Sequence, residues 1–195
     1  DEALFREKLQ RFLQLSAVAV GNLGHLPIVE GLGLEVRGDF GLNVFNSRAL
    51  AFLRELGLAS ATVSFELRYQ QVRDLAKLLP CEGIVYGRLP LMVMENCITK
   101  NNVGCRHGAG STLTDRTGAQ FPVQCVYGCR NEIENSLPLF LADKAEWRGC
   151  GLTSARLRFT TETADECAAV LRRYRGEGDY APEKYTRGLF YRGVE

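Results

Sequence analysis

Cysteine is the residue type that points most directly to chemistry in this sequence, which contains seven. Four of them lie within 33 residues, with seven, nineteen and three residues between successive members: Cys97, Cys105, Cys125 and Cys129. Deprotonated thiols are preferred ligands of zinc and of iron–sulfur clusters. An odd number of cysteines, in a chain that starts without a secretion signal, is unlike a secreted disulfide framework. We therefore predict that these four thiolates surround one metal centre.

Other readings of the cysteines remain open. The spacing differs from the paired CxxC knuckles of a zinc ribbon, although zinc on the same four cysteines is the alternative metal. His107, two residues beyond Cys105, is a reserve ligand, or a solvated side chain in a Gly-rich loop. Free cysteine is often a small buried apolar residue, and we expect Cys81, Cys150 and Cys167 to be ordinary core or surface residues.

Alternating strand-like and helix-like segments must position these ligands. Short apolar runs separated by helical patterns up to residue 96 predict βαβ units with a parallel sheet, either half of a (β/α) barrel or a small open α/β sheet. The run "GIVYGRLPLMVM" (83–94) predicts one strand that brings Cys97 to the carboxyl rim of that sheet. A seven-residue loop would then return Cys105 to the same rim.

The second half of the chain has a different character. Residues 111–125 predict an antiparallel hairpin that turns at Thr117 and Gly118. A short helix is expected over 135–143, a strand over 154–163, and a helix capped by Thr163. The predicted fold class is α/β: residues 1–96 form the second half of a barrel-like domain, and residues 97–195 form a Cys-rich hairpin with an α/β extension packed on it.

Polar residues near the predicted carboxyl ends of strands are candidates for lining a substrate pocket. These candidates are Asn43, Asn46, Glu66, Arg88 and Glu95. Each has a structural alternative, because Asn46 can cap a helix, Arg88 can pair with an acid, and Glu66 can begin a helix.

Two further segments have two readings each. Asp115 and Arg116 either bind a phosphate or carboxylate through the guanidinium fork or shape the hairpin turn. The tail interleaves basic and aromatic residues, which suits either stacking on RNA or docking onto the rest of the chain. These tail residues are Lys184, Tyr185, Arg187, Phe190, Tyr191 and Arg192.

Composition limits the class of protein. The apolar fraction is 46%, the charged fraction is 24% and the formal net charge is +1, so no global basic footprint for nucleic acid is present. No apolar run approaches the roughly 18 residues of a membrane span, which predicts a soluble, cytoplasmic protein without membrane partners. The chain opens within an amphipathic helix and lacks an initiator Met, which predicts a piece of a longer protein.

Several linked motifs resemble the later part of the collagenase-like peptidase family, the thirty-second group of peptidases of unknown catalytic type. They are "GNLGHLPIVEGLGLEVRGDFGLNVFNSRALAFLRELGLASATVSFEL", "VYGRLPLMVMENC", "LTDRTGAQFPV", "NSLPLFLAD", "RLRFTTE" and "YTRGLFYRGV". The resemblance implies a (β/α) barrel-like catalytic domain, of which this chain supplies the later strands. The missing N-terminal half of the barrel is then an expected partner.

One branch of that family resembles the chain around its cysteines. Its members are oxygen-independent hydroxylases of RNA bases or ubiquinone precursors, with a four-iron four-sulfur cluster and with prephenate as an associated oxygen source. The resemblance implies that Cys97, which follows "GRLPL", is a ligand, together with Cys105 and one or both of Cys125 and Cys129. Paired ligands in those relatives are closer together in sequence than Cys105 and Cys125, and one relative uses a distant cysteine, which makes Cys167 a further reserve.

The expected function is therefore an iron–sulfur-dependent hydroxylase of RNA or of a small aromatic molecule. A peptidase is the alternative that the family name suggests. However, the two histidines, His25 and His107, are not in a triad-like context, and no HExxH motif is present. A non-catalytic scaffold stabilised by metal is the third possibility.

Overall fold

The structure is a computed structural model that describes residues 2–12, 14–105, 111–126 and 129–192. Within these ranges the chain forms seven α-helices and ten β-strands, arranged as two sheets. This confirms the predicted α/β class. His107 lies outside the described residues, so its predicted role as a reserve ligand stays a prediction.

The main sheet is a curled parallel half-barrel with strand order β1-β2-β3-β4-β10. Its first four strands are joined in parallel register, with Val18 beside Val36 and Ala61 beside Cys81. The strands are β1 (Ala17–Val20), β2 (Glu35–Gly38), β3 (Ser60–Thr62), β4 (Cys81–Gly87) and β10 (Ser154–Arg158).

Short helices connect these strands, as the sequence predicts. Asn46 caps α3, because its side chain accepts the backbone N–H of Ala49, and α3 buries Leu50 and Leu53 against the sheet. Single 3₁₀ turns occupy Leu23–His25 and Phe40–Leu42. The helices of this region are α1 (Glu2–Gln10), α2 (Leu26–Val29), α3 (Ser47–Glu55) and α4 (Tyr69–Leu75).

The second sheet is antiparallel, with strand order β5-β8-β7-β6. The predicted hairpin is confirmed: β6 pairs with β7 from Ser111–Val123 to Thr114–Gln120. Its turn is shaped by Asp115, whose carboxylate accepts the N–H groups of Thr117 and Ala119. Asp115 therefore acts as a turn residue. The strands are β5 (Pro90–Met94), β6 (Ser111–Thr114), β7 (Gln120–Val126) and β8 (Arg130–Glu134).

Three sequence predictions about this region are wrong. Residues 83–94 form two strands in different sheets, because Gly87 adopts φ 113° and Pro90 lacks an N–H. Cys97 therefore follows a strand of the antiparallel sheet and not, as predicted, a strand of the parallel sheet. The expected loop after Cys97 contains α5 (Ile98–Val103), and the expected helix over 135–143 contains β9 (Leu139–Phe140), which pairs with β4.

The remaining helices are α6 (Glu146–Gly149) and α7 (Ala164–Arg175). As predicted, Thr163 caps α7, and its side chain forms a capping box with Glu166. None of the helices in the described ranges is long and apolar enough to cross a membrane.

The chain divides into two compact units. Unit 1 comprises residues 1–84, 144–156 and 188–195, and unit 2 comprises residues 85–143 and 157–187. Unit 1 has an aliphatic core centred on Val20, Val44 and Leu50. In unit 2, Tyr86, Phe140 and Tyr174 pack edge to face. The predicted division at residue 96 stays a prediction.

Candidate metal centre

Cys97 lies where the antiparallel sheet passes into α5. It is the N-cap of this helix, and its sulfur accepts the backbone N–H of Lys100 at 3.4 Å. Across the sheet, Met94 of β5, Asn131 of β8 and Cys125 of β7 occupy neighbouring positions of the ladder. The sheet therefore brings Cys125 to the same end as Cys97.

Asn131 joins the two cysteines. Its side chain is fully buried, and its Nδ2 lies 3.7 Å from the sulfur of Cys97 and 3.6 Å from that of Cys125. Because both contacts share one nitrogen, the two sulfur atoms are at most about 7.3 Å apart, the sum of those contacts. The same nitrogen is 3.1 Å from the carbonyl of Arg130, and Oδ1 accepts the N–H of Ile98 at 2.7 Å.

The other two predicted ligands are exposed. Cys129 immediately precedes β8, at the end of the sheet where Cys125 lies, and Cys105 follows α5 by two residues. In the part of the chain that the structure describes, no group of three or more His, Cys, Asp or Glu side chains could hold a metal ion. The structure thus brings together two of the four predicted thiols.

The remaining cysteines behave differently. Cys81 and Cys150 are buried in unit 1, and each thiol donates to a carbonyl, those of Leu79 and Trp147 respectively. Burial raises the pKa of the Cys81 thiol to about 11, with a smaller contribution from Cys150, and burial also raises the pKa of Cys150. Both are core residues, as expected. Cys167, the reserve ligand, is half-buried on α7.

Three of the pocket candidates follow strands in unit 1. Asn43 adopts a left-handed conformation (φ 46°) after the 3₁₀ turn that follows β2. The side-chain oxygen of Asn46 caps the N-terminus of α3. Glu66 is exposed after β3, and its backbone N–H donates to the hydroxyl of Ser64. They lie near the carboxyl ends of parallel strands, and their contact with a substrate stays a prediction.

The other two pocket candidates lie in unit 2. Arg88 follows β4 and donates to the carbonyls of Asn135 and Ser136. Glu95 follows β5 and forms an exposed ion pair with Arg130 at 2.7 Å.

Two ion networks were missed by sequence reasoning, because their members are far apart in the chain. In unit 1, Arg156 pairs with Asp39 and Glu82 at 2.5 Å beside a cavity of about 280 Å³. The sequence contains one signal for these arginines, the alternation of polar and apolar residues in "SARLR". This alternation predicts that Arg156 and Arg158 lie on the face of β10 opposite its apolar residues.

In unit 2, Arg158 binds both oxygens of the fully buried Glu134 and also contacts Glu132. Burial raises the pKa of Glu134, and the guanidinium of Arg158 opposes this effect. The three residues form a buried polar link between β8 and β10, which is a structural role.

The tail docks onto the rest of the chain within each unit. In unit 2, Arg187 forms a two-pronged ion pair with Asp143. In unit 1, Phe190 is buried against Tyr69, with ring centroids 5.9 Å apart, and its carbonyl accepts the N–H of Tyr69. These contacts favour the docking reading of the tail over stacking on RNA.

Comparison with known proteins adds the family. The chain matches the family model for Peptidase family U32 over residues 4–130. Comparisons with curated proteins and with solved structures found no match. Because the match spans more than half of the chain and includes the strands and helix that carry Cys97 and Cys125, this chain belongs to peptidase family U32.

Proposed function

We propose that this member of family U32 is an iron–sulfur-dependent enzyme, an oxygen-independent hydroxylase of an RNA base or of a small aromatic precursor. In this proposal Cys97, Cys105, Cys125 and Cys129 bind a four-iron four-sulfur cluster. The observation that carries the proposal is the contact of one buried amide, that of Asn131, with the sulfur atoms of Cys97 and Cys125.

The hydrogen bonds of Cys97 support a role as a ligand. Its sulfur is approached by two N–H donors, from Lys100 and Asn131, whereas the core thiols of Cys81 and Cys150 donate to carbonyls. N–H groups directed at the cysteine sulfurs are one of the means by which a protein tunes an iron–sulfur cluster. The Cys97 and Cys125 pair therefore fits two positions of a thiolate-bound centre.

The residues around this pair hold it in place. Asn131 fixes the separation of the two sulfurs, and through Oδ1 it also fixes the first turn of α5. Cys97 is only 7% exposed, which shields its sulfur from water and raises the strength of the N–H contacts. A cluster bound here would supply electron transfer or an open iron position for an oxygen-bearing substrate.

The test is metal analysis of the full chain, purified without oxygen. We expect about four iron and four sulfide per chain, as for a cubane cluster, and loss of both in Cys97→Ser and in Cys125→Ser. Cys167→Ser, which removes a half-buried thiol on α7, is the matched control and should retain the iron. Zinc without sulfide would contradict the cluster, and loss of iron in Cys167→Ser would contradict the set of four ligands.

The peptidase alternative finds less support. Within the described residues, no histidine forms a hydrogen bond with a serine or cysteine side chain, and the hydroxyl of the buried Ser64 accepts a backbone N–H. Cleavage of a denatured collagen-like substrate by the pure chain, abolished by replacing one nucleophile, would favour a peptidase over the hydroxylase.

A further inference from the structure

Unit 2 contains a cavity whose lining is suited to binding an anion. It has a volume of about 560 Å³ and lies beside the β6–β7 hairpin, within the usual size range of small-ligand sites. Its lining contains two cations and no carboxylate. The polar residues of the lining are Arg88, Thr112, Thr117, Gln120, Ser136 and Lys184.

Arg88 is held rigidly but is not neutralised. Its Nη1 donates to the carbonyls of Asn135 and Ser136, and its Nε donates to the hydroxyl of Thr161 at 3.3 Å. Among the described residues, Nη2 has no hydrogen-bond partner and no carboxylate lies within ion-pair distance. A half-buried guanidinium without a counter-charge is costly, and a bound anion would offset that cost.

The hairpin and the tail supply further unused donors. Thr112 of β6 and Gln120 of β7 lie on one face of the hairpin, since Thr112 pairs with Pro122 and Thr114 with Gln120. Within the described part of the chain, the side chains of Thr112, Gln120 and Lys184 form no hydrogen bond or ion pair. By contrast, the hydroxyl of Thr117 is already donated to Asp115.

The charges of the lining residues favour anion binding in this cavity over an adjacent one. A cavity of about 330 Å³ shares Arg88, Ser136 and Lys184 in its lining. It also contains three carboxylates, those of Glu162, Glu166 and Glu183. Like charges would repel an anion there, whereas the hairpin cavity presents cations and neutral donors.

We infer that the hairpin cavity is a binding site for a phosphate group, held by Arg88 Nη2 and Lys184 and flanked by Thr112 and Gln120. Two cations suit the double charge of a phosphate monoester better than the single charge of a carboxylate. A guanidinium fork and a lysine are both common phosphate ligands. The site is separate from the proposed cluster, because none of the four predicted cysteine ligands lines the cavity.

The experiment is a titration of the full chain with inorganic phosphate and with a nucleoside 5′-monophosphate, followed by amide NMR signals. Sodium acetate at equal ionic strength is the carboxylate arm. We expect saturable shifts at Thr112, Thr117 and Gln120. Lys184→Met should weaken binding about tenfold or more, the usual effect of losing a charge-assisted contact. This variant removes an exposed side chain that forms no hydrogen bond or ion pair within the described residues.

Arg116→Met is the matched control, because Arg116 is an exposed cation on the same hairpin but outside the cavity lining. It should leave phosphate affinity unchanged. An equal loss in Arg116→Met would show a diffuse basic surface and overturn the site. Absence of saturable binding, or acetate binding as tight as phosphate binding, would overturn it as well. Binding of the monophosphate but not of inorganic phosphate would support a phosphate ester as ligand.

Discussion

At the scale of single residues, Asn131 has a role that its neighbours in sequence do not share. The charged residues on either side form ion pairs, Arg130 with Glu95 and Glu132 with Arg158. Side chains alternate across a strand, so Asn131 faces away from both neighbours and toward the thiols of Cys97 and Cys125. An uncharged amide is suited to this place, because it can donate to two sulfurs while its oxygen accepts from α5.

The first prediction concerns this amide. Asn131→Asp keeps an oxygen for the N–H of Ile98 but replaces both N–H donors by a carboxylate oxygen that repels thiolates. We expect metal affinity, measured by competition with a chelator, to fall about 10- to 100-fold, as is usual when a group that supports a ligand is lost. In protein that carries the proposed cluster, the reduction potential should shift as well.

Asn135→Asp is the control for this prediction. Asn135 lies just beyond β8, and its oxygen accepts the N–H of Leu137, a contact that aspartate preserves. The control should bind metal like the wild type. Equal metal affinity in Asn131→Asp and wild type would contradict the role of the amide.

The roles of single residues were predicted correctly where they depend on residue type and on nearby sequence. The core positions of Cys81 and Cys150 agree with the tendency of free cysteine to be buried, and the turn role of Asp115 follows from its short polar side chain. Asn131 was missed, because its partners are 34 and 6 residues away in sequence and depend on the ladder between β5, β8 and β7.

At the scale of elements, the break between β4 and β5 decides where the thiols lie. The apolar stretch is continuous in sequence, so its periodicity predicts one strand, but Gly87 and Pro90 divide it between two sheets. Helices with clear caps, such as α3 after Asn46 and α7 after Thr163, were predictable. The short β9 was not, because its two residues become a strand only by pairing with β4.

The second prediction tests this break. At Gly87 an added Cβ would lie 1.9 Å from the carbonyl oxygen of Arg158, in addition to the strain of φ +113°. Gly87→Ala should therefore lower the free energy of unfolding by about 3 kcal/mol or more, measured by urea denaturation. Gly57→Ala separates the two effects, because Gly57 has φ +82° but open space around it. It should cost only about 1 kcal/mol. Similar losses in both variants would contradict the steric explanation.

At the scale of the whole molecule, stability should depend on pH on the alkaline side. Burial, with a smaller contribution from Cys150, raises the pKa of Cys81 from 9.0 to about 11, and burial also raises the pKa values of Tyr86 and Tyr174. Above pH 9 the unfolded chain releases the Cys81 proton while the folded chain keeps it. The free energy of unfolding therefore falls as pH rises from about 9 to 11.

The third prediction assigns part of this loss to one thiol. Cys81 alone should account for up to about 2 kcal/mol of the decline between pH 9 and pH 11. Chemical denaturation at several pH values should show a shallower decline for Cys81→Val, which cannot ionise. An unchanged slope in that variant would contradict the burial of the thiol as its cause.

The division of unit 1 into three stretches of chain has a consequence for biosynthesis. Residues 85–143, 59 in number, separate the first stretch from residues 144–156, and a further 31 residues (157–187) separate that stretch from 188–192, which completes the unit. As the ribosome releases the polypeptide from its N-terminus, the early strands must wait for β10 and then for Phe190. Until then, apolar surface is open to chaperones and to misassembly. Translation pauses between residues 84 and 190 would prolong that exposure, whereas pauses before residue 84 would not.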